Sequence, residues 1–185
     1  MNNYIHSESR FHFTLILSNV DENTELLEDR LFEAGCDDAL INFRNGAVYL
    51  DFDRKASSIE EAVINAIKNI ENLPLGIRII GIGPDDYVSE SEIAKRLQLK
   101  RQIISLWVKG KRRAKTRFPT PVMKLSERSP LWRWYEVLLW LYQQNQIRDQ
   151  RMIEVAKFIE NLNAVLQERD QEIKRYREKI LQKLK

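Results

Sequence analysis

The chain has 185 residues, 43% hydrophobic and 31% charged, with only 6 Gly and 5 Pro, the composition of a folded protein rather than a disordered or collagen-like one. Its longest apolar run, Val137 to Tyr142, is six residues against the roughly 18 a membrane span needs, and the opening MNNYIHSESR carries no apolar leader, so a cytoplasmic location is expected. One cysteine, Cys36, excludes an intrachain disulfide, and with only His6 and His12 beside it no zinc-ligand spacing exists; neither metal nor cofactor is expected. The net charge of +3 is unevenly spread: residues 1–89 hold 7 basic and 16 acidic side chains, residues 90–128 hold 12 and 3, and residues 129–185 hold 11 and 8. A compact basic stretch beside an acidic one suits a polyanion-binding module, because counterion release from phosphates needs concentrated Lys and Arg.

In chain order, Phe11, Phe13, Leu15 and Leu17 alternate with His12, Thr14 and Ile16 and predict a strand. Asp21 to Gly35, with Leu27 and Leu31 at helical spacing, acidic first turns and Gly35 as a C-terminal cap, predicts a helix. Leu40–Arg44 and Ala47–Asp53 flank Asn45-Gly46, the dipeptide that best tolerates the positive φ angles of a type I′ turn, and predict a hairpin. Ser58 to Asn72 puts Ile59, Val63, Ala66, Ile67 and Ile70 on one helical face, and Ile77 to Ile82 closes the unit as a strand. The order βαββαβ, with two right-handed crossovers and one hairpin, predicts a ferredoxin-like domain over residues 1–83, its two helices on one face of a four-stranded antiparallel sheet.

That fold serves enzymes, metabolite sensors and pairing modules alike, so function must come from residues. Asp37 and Asp38 beside Cys36 would raise the thiol pKa rather than activate it. Gly81-Ile82-Gly83-Pro84 is too short for a dinucleotide fingerprint and reads as a linker. Tyr49, Asp51 and Asp53 read as a solvated acidic face, His6 as a tail residue and His12 as an exposed strand residue. No nucleophile, metal or phosphate motif is present and no enzyme is expected; a protein or small-ligand partner is what the acidic domain would take.

From Tyr87 the pattern changes. Ser89-Glu90-Ser91-Glu92 is a capping box that starts a short helix carrying Ile93, Ala94 and Leu97. A second short helix is predicted from Lys100 to Lys109, with Ile104, Trp107 and Val108 inward, Arg101, Gln102, Ser105 and Lys109 outward, and Gly110 ending it. Two short helices with a tight turn, the second displaying Arg and Gln, suit the major groove, where Arg bonds a guanine edge and Gln an adenine edge. Lys111, Arg112, Arg113, Lys115 and Arg117 crowd in behind, ahead of Phe118-Pro119-Thr120-Pro121-Val122, and suit phosphate contacts.

Residues 89–141 resemble the excisionase and AlpA-type branch of the MerR-like winged helix-turn-helix family, on EIAKRLQLKRQIISLWVKGKR, FPTPV and RSPLWRWYEVLLWL. The resemblance implies that the second helix enters the major groove, that the segment around FPTPV forms a wing on the backbone or minor groove, and that the tryptophan-containing helix closes the core. It implies base or phosphate contacts for Arg101, Gln102, Ser105 and Lys109, and phosphate contacts for Arg112, Arg113 and Lys115. With Lys100, Lys111 and Arg117 these make up the candidate DNA-binding set. Gln98 stands where the family's turn has glycine, and Lys100 where its second helix has serine as N-cap. All four tryptophans, Trp107, Trp132, Trp134 and Trp140, fall in this segment and are expected in its core.

After Tyr142 there is no Gly or Pro, and Met152, Val155, Ile159, Leu162, Leu166, Arg169, Ile173, Tyr176 and Ile180 occupy successive a and d positions. This predicts a C-terminal helix in residues 143–185 that dimerises as a coiled coil, with Arg169 its one polar intruder; the alternative is a helix lying on its own acidic domain. The sequence as a whole predicts an α+β chain in three parts, 1–83, 84–142 and 143–185, acting as a homodimeric, sequence-specific regulator of transcription on double-stranded DNA. The alternative is an antitoxin that autoregulates through the same module while its acidic domain or C-terminal helix neutralises a protein partner.

Overall fold

Alternating apolar residues in the first ninety positions build a sheet whose one face is buried. The computed structural model describes residues 9–112 and 114–184, so His6 and Arg113 lie outside the described residues. The chain is mixed α+β and divides into two compact units, one made of the described residues up to Pro84 together with those from Asn161, the other of Asp85–Glu160.

In the first unit, β1 (Ser9–Ser18), α1 (Leu27–Glu33), β2 (Ala39–Arg44), β3 (Ala47–Ala56), α2 (Ile59–Glu71) and β4 (Arg78–Gly83) follow in that order. All strand pairs are antiparallel, in the spatial order β2-β3-β1-β4. Phe13, Leu15 and Leu17 are buried with Val48, Leu50, Phe52, Ile79 and Ile82, and α2 lies against β1, β3 and β4 with Ile59, Ala62, Val63, Ala66, Ile67 and Ile70 buried. Phe13 sits opposite Phe52 and their rings stack 4.8 Å apart, the kind of cross-strand pair that fixes register. The turn between β2 and β3 has φ of 53° at Asn45 and 79° at Gly46, both in the left-handed region the dipeptide was expected to supply. Ser58 Oγ accepts from Glu61 N and caps α2.

Helix α1 is shorter than its sequence promised. The expected span began at Asp21, but Asp21 Oδ1 accepts from Asn23 N and from Thr24 Oγ1, while Thr24 Oγ1 accepts from Asp21 N. These side-chain bonds build a polar turn in place of the first helical turns, and Leu26, with φ of 55°, is the last residue before the helix.

In the second unit, β5 (Tyr87–Val88), α3 (Glu90–Arg96), α4 (Arg101–Val108), β6 (Trp132–Arg133), α5 (Trp134–Gln143) and the first part of α6 (Arg151–Glu168) surround one core. Val88, Ile93, Ile104, Trp107, Phe118, Trp132, Val137, Leu138, Trp140 and Ala156 are buried in it. Trp134 completes the burial of all four tryptophans, as expected for core residues. Strand β5 pairs with β6, Val88 opposite Trp132.

Helix α7 (Gln171–Lys183) follows α6, and the two correct the unbroken C-terminal helix expected from the sequence. Helix α6 starts after a loop in which Asp149 Oδ1 accepts from Arg151 N. A second break falls at Arg169 and Asp170, where Asp170 Oδ1 caps α7 by accepting from Glu172 N and Ile173 N. A short carboxylate at these positions competes with helix continuation, which heptad counting does not register. The a/d stripe is divided as well: Ile159, Leu162 and Leu166 are buried by this chain itself, Met152 and Val155 are half-buried, and Arg169 bonds Glu71 of α2. Ile173, Tyr176 and Ile180 remain exposed. Among the described residues, no helix is long and apolar enough to cross a membrane.

Candidate nucleic-acid interface

Two short helices and the turn between them set up the exposed surface of the second unit. Helix α3 begins at Ser89, whose Oγ accepts from Glu92 N at 3.2 Å, and buries Ile93 and Ala94. Its end is a Schellman motif: Gln98 N donates to Lys95 O and Leu99 N to Ala94 O, with Gln98 at φ 54° in the place glycine prefers. Lys100 follows as the N-cap of α4 with no side-chain cap bond. Helix α4 closes with the same motif, Gly110 N to Trp107 O and Lys111 N to Leu106 O, here with glycine at φ 64°. Eight residues at about 1.5 Å each make α4 about 12 Å long, the scale of the B-DNA major groove.

The two faces of α4 are chemically opposed. Ile104 and Trp107 are buried and Val108 is half-buried, whereas Lys100, Arg101, Gln102 and Lys109 are exposed and Ser105 is half-buried. Arg101 has one weak restraint, Glu90 Oε2 at 3.9 Å from its Nε, and its side chain is 62% exposed. Lys100, Lys109, Lys111, Lys115 and Arg117 form no ion pair among the described residues, so their charge is available to an outside anion.

The basic segment after α4 has no regular secondary structure, yet side chains of the core hold it in place. Gln144, the buried polar side chain of this unit, accepts from Lys115 N at 2.6 Å and donates to Thr116 Oγ1 at 3.0 Å. Trp140 Nε1 donates to Thr116 O and Trp132 Nε1 to Pro119 O. Phe118 is wedged between these indoles, 4.9 Å from Trp140 and 6.0 Å from Trp132. The backbone is thus fastened to the core while Lys115 and Arg117 extend outward. Arg112 lies over the face of Trp107 at 5.2 Å, which orients its guanidinium without neutralising it.

Lys109, Arg112, Lys115 and Arg117 line one open cleft of about 790 Å³ between the end of α4 and the segment through Pro121. Lys100, Arg101 and Gln102 lie at the other end of α4 and do not line it. The backbone pairs again past this segment, Val122 N with Leu131 O and Leu131 N with Met123 O, making a small hairpin whose loop carries Lys124 and Arg128. Lys124 pairs with Glu127 at 3.6 Å. Sequence reasoning counted Lys124 and Arg128 in the basic block without assigning them; the signal was Ser126 to Pro130 interrupting two apolar stretches. Gln144 was missed altogether, since a lone glutamine at a helix end has no signature.

Among the described residues, the first unit offers no comparable constellation. Burial pushes the Cys36 thiol up, more than the neighbouring Arg54 lowers it, with Asp38 and Asp37 adding to the rise. Asp51 accepts from Thr14 Oγ1 and Asn42 Nδ2, and Asp53 from Arg10, with exposed His12 3.4 Å away. Compared with protein-family models, with curated proteins and with solved structures, the chain gives no match in any of the three.

Proposed function

We propose that the chain is a cytoplasmic, sequence-specific regulator of transcription that binds double-stranded DNA, with α4 in the major groove and the segment after it on the phosphate backbone. The observation that carries this reading is the continuity of one exposed surface: the polar face of α4, with Arg101 and Gln102, runs into a cleft walled by Lys109, Arg112, Lys115 and Arg117. Base-edge readers and phosphate-binding cations side by side on a rigid core are what duplex recognition requires. The order β5-α3-α4-hairpin-β6-α5 supports a winged helix-turn-helix arrangement, with the segment around residues 118–122 as wing and the paired backbone from Val122 to Leu131 extending it beyond the residues expected from the sequence. The order β2-β3-β1-β4 supports a ferredoxin-like arrangement for residues 9–83, whose excess of acidic side chains repels phosphate and is left for a protein or small-ligand partner. The active species is a homodimer, which places two α4 helices on half-sites a whole number of helical turns apart.

Selection from a random duplex library by the full chain tests the proposal. Enrichment of a two-fold symmetric motif is expected, and a bound pool with no motif refutes sequence-specific duplex binding.

A further inference from the structure

Helix α7 buries none of its residues, yet it is not uniformly polar. Ile173, Tyr176 and Ile180, spaced three and four apart, form one stripe with 42%, 66% and 42% of their surface exposed. Arg175, Arg177 and Lys179 line the same surface as the stripe, against Glu172; Arg175 and Lys179 form no ion pair among the described residues, whereas Arg177 bonds Gln167 and approaches Glu168 at the end of α6. An exposed apolar stripe in a cationic frame is an interaction surface whose partner should be acidic and partly apolar.

The same unit presents such a partner at its other edge. Between α1 and β2 lies a cleft of about 320 Å³ with Leu26 and Phe43 in its wall and Asp21, Glu22, Glu28 and Asp29 around it. Leu26 is 61% exposed and Phe43 44%, and Leu26 is held at φ 55°, a conformation that disfavours leucine. None of the four carboxylates forms an ion pair among the described residues.

We propose that α7 docks into this acidic cleft on a second copy of the chain, and that the second copy returns its α7 to the cleft of the first. The chain's own cleft is a poor host: Asn163 of α6 is bonded to Ile82 of β4 and Arg169 to Glu71 of α2, which anchors this end of the chain beside β4, at the sheet edge away from β2. Pairing α7 with another α7 is opposed by charge, since the helix carries Lys174, Arg175, Arg177, Lys179 and Lys183 against Glu172 and Glu178. A reciprocal exchange matches opposite charges twice and closes with two-fold symmetry. It shares the homodimer with the proposed function but none of the DNA contacts, because neither surface belongs to the second unit; a cleft variant that dimerises like the wild type would refute the docking and leave that reading standing.

Sedimentation equilibrium without DNA tests it. The wild type should dimerise at tens of micromolar and more weakly as salt is raised. Ile173→Glu with Ile180→Glu should raise the dimer dissociation constant at least tenfold, and so should Leu26→Asn with Glu28→Lys, in which asparagine accepts the positive φ and keeps the turn. Arg175→Glu with Lys179→Glu changes exposed side chains only and should act likewise. Mixing the first two variants leaves one intact helix and one intact cleft per pair, so the mixture should associate more tightly than either variant alone. A wild-type monomer at these concentrations, a cleft variant that dimerises like the wild type, or a mixture no tighter than its components would each overturn the proposal.

Discussion

Gln98 and Arg169 show how much single residues settle here. Gln98 occupies the left-handed C′ position of α3 at φ 54°, where a Cβ costs energy that glycine avoids, although glycine also loses more freedom on folding. Gln98→Gly should raise stability by about 0.5 to 1 kcal/mol, read from urea unfolding, and should leave the fold unchanged. Arg169 donates to both carboxylate oxygens of Glu71, at 2.9 and 2.6 Å. Burial pushes the Glu71 carboxyl up, but bonds from Arg169 and from Ile79 N, with the charges of Arg169 and Arg78, reverse this and hold it below the usual carboxylate value. A carboxyl depressed in the folded state stabilises above its unfolded pKa and loses that contribution as pH falls through the folded value. Arg169→Met should therefore cost about 1 to 2 kcal/mol at neutral pH, a difference that shrinks below about pH 4.5. Urea unfolding of both proteins across that range is the check, and an undiminished difference in acid would show that the pair contributes through packing.

Among elements, β4 depends on a contact no propensity foretells. It is an edge strand, and Asn163 of α6 occupies its open side: Asn163 Oδ1 accepts from Ile82 N at 2.8 Å and Nδ2 donates to Ile82 O at 3.0 Å. One amide thus satisfies both backbone groups that a further strand would have bonded. Asn163→Leu should leave them unpaired, lower stability by about 1 to 3 kcal/mol and speed hydrogen exchange at the Ile82 amide well beyond that of Leu15, which lies inside the sheet. Unchanged exchange at Ile82 would mean that Asn163 does not protect the edge. These contacts also mark the limit of what the sequence discloses. Periodicity reports burial within an element, so β1, the hairpin, α2 and both faces of α4 were legible in it. Asn163 with Ile82 and Arg169 with Glu71 join residues 81 and 98 positions apart, and nothing local to either partner announces the other. The heptad stripe is ambiguous for the same reason, because an apolar spacing fits a partner chain and the body of the same chain equally well, and here Ile159, Leu162 and Leu166 are buried while Ile173, Tyr176 and Ile180 are exposed. At the candidate interface the cationic side chains could be read directly, whereas the Gln144, Trp132 and Trp140 bonds that fix their backbone could not.

At the scale of the whole molecule, the uneven charge acquires a division of labour. Residues 90–128, with 12 basic and 3 acidic side chains, lie within the second unit, while most of the acidic side chains of residues 1–89 belong to the first. On the proposed function, clustered cations in the second unit would supply affinity toward any duplex and the face of α4 preference among duplexes, so the two should separate under mutation. Competition titration of wild type, Arg101→Ala and Lys115→Ala against the selected motif and a random duplex, at several salt concentrations, tests this most directly. The account predicts that Arg101→Ala loses about 1 to 3 kcal/mol on the motif and little on the random duplex, while Lys115→Ala weakens both alike and lowers the salt slope by about 1. Equal losses on both duplexes for Arg101→Ala would contradict base readout by α4.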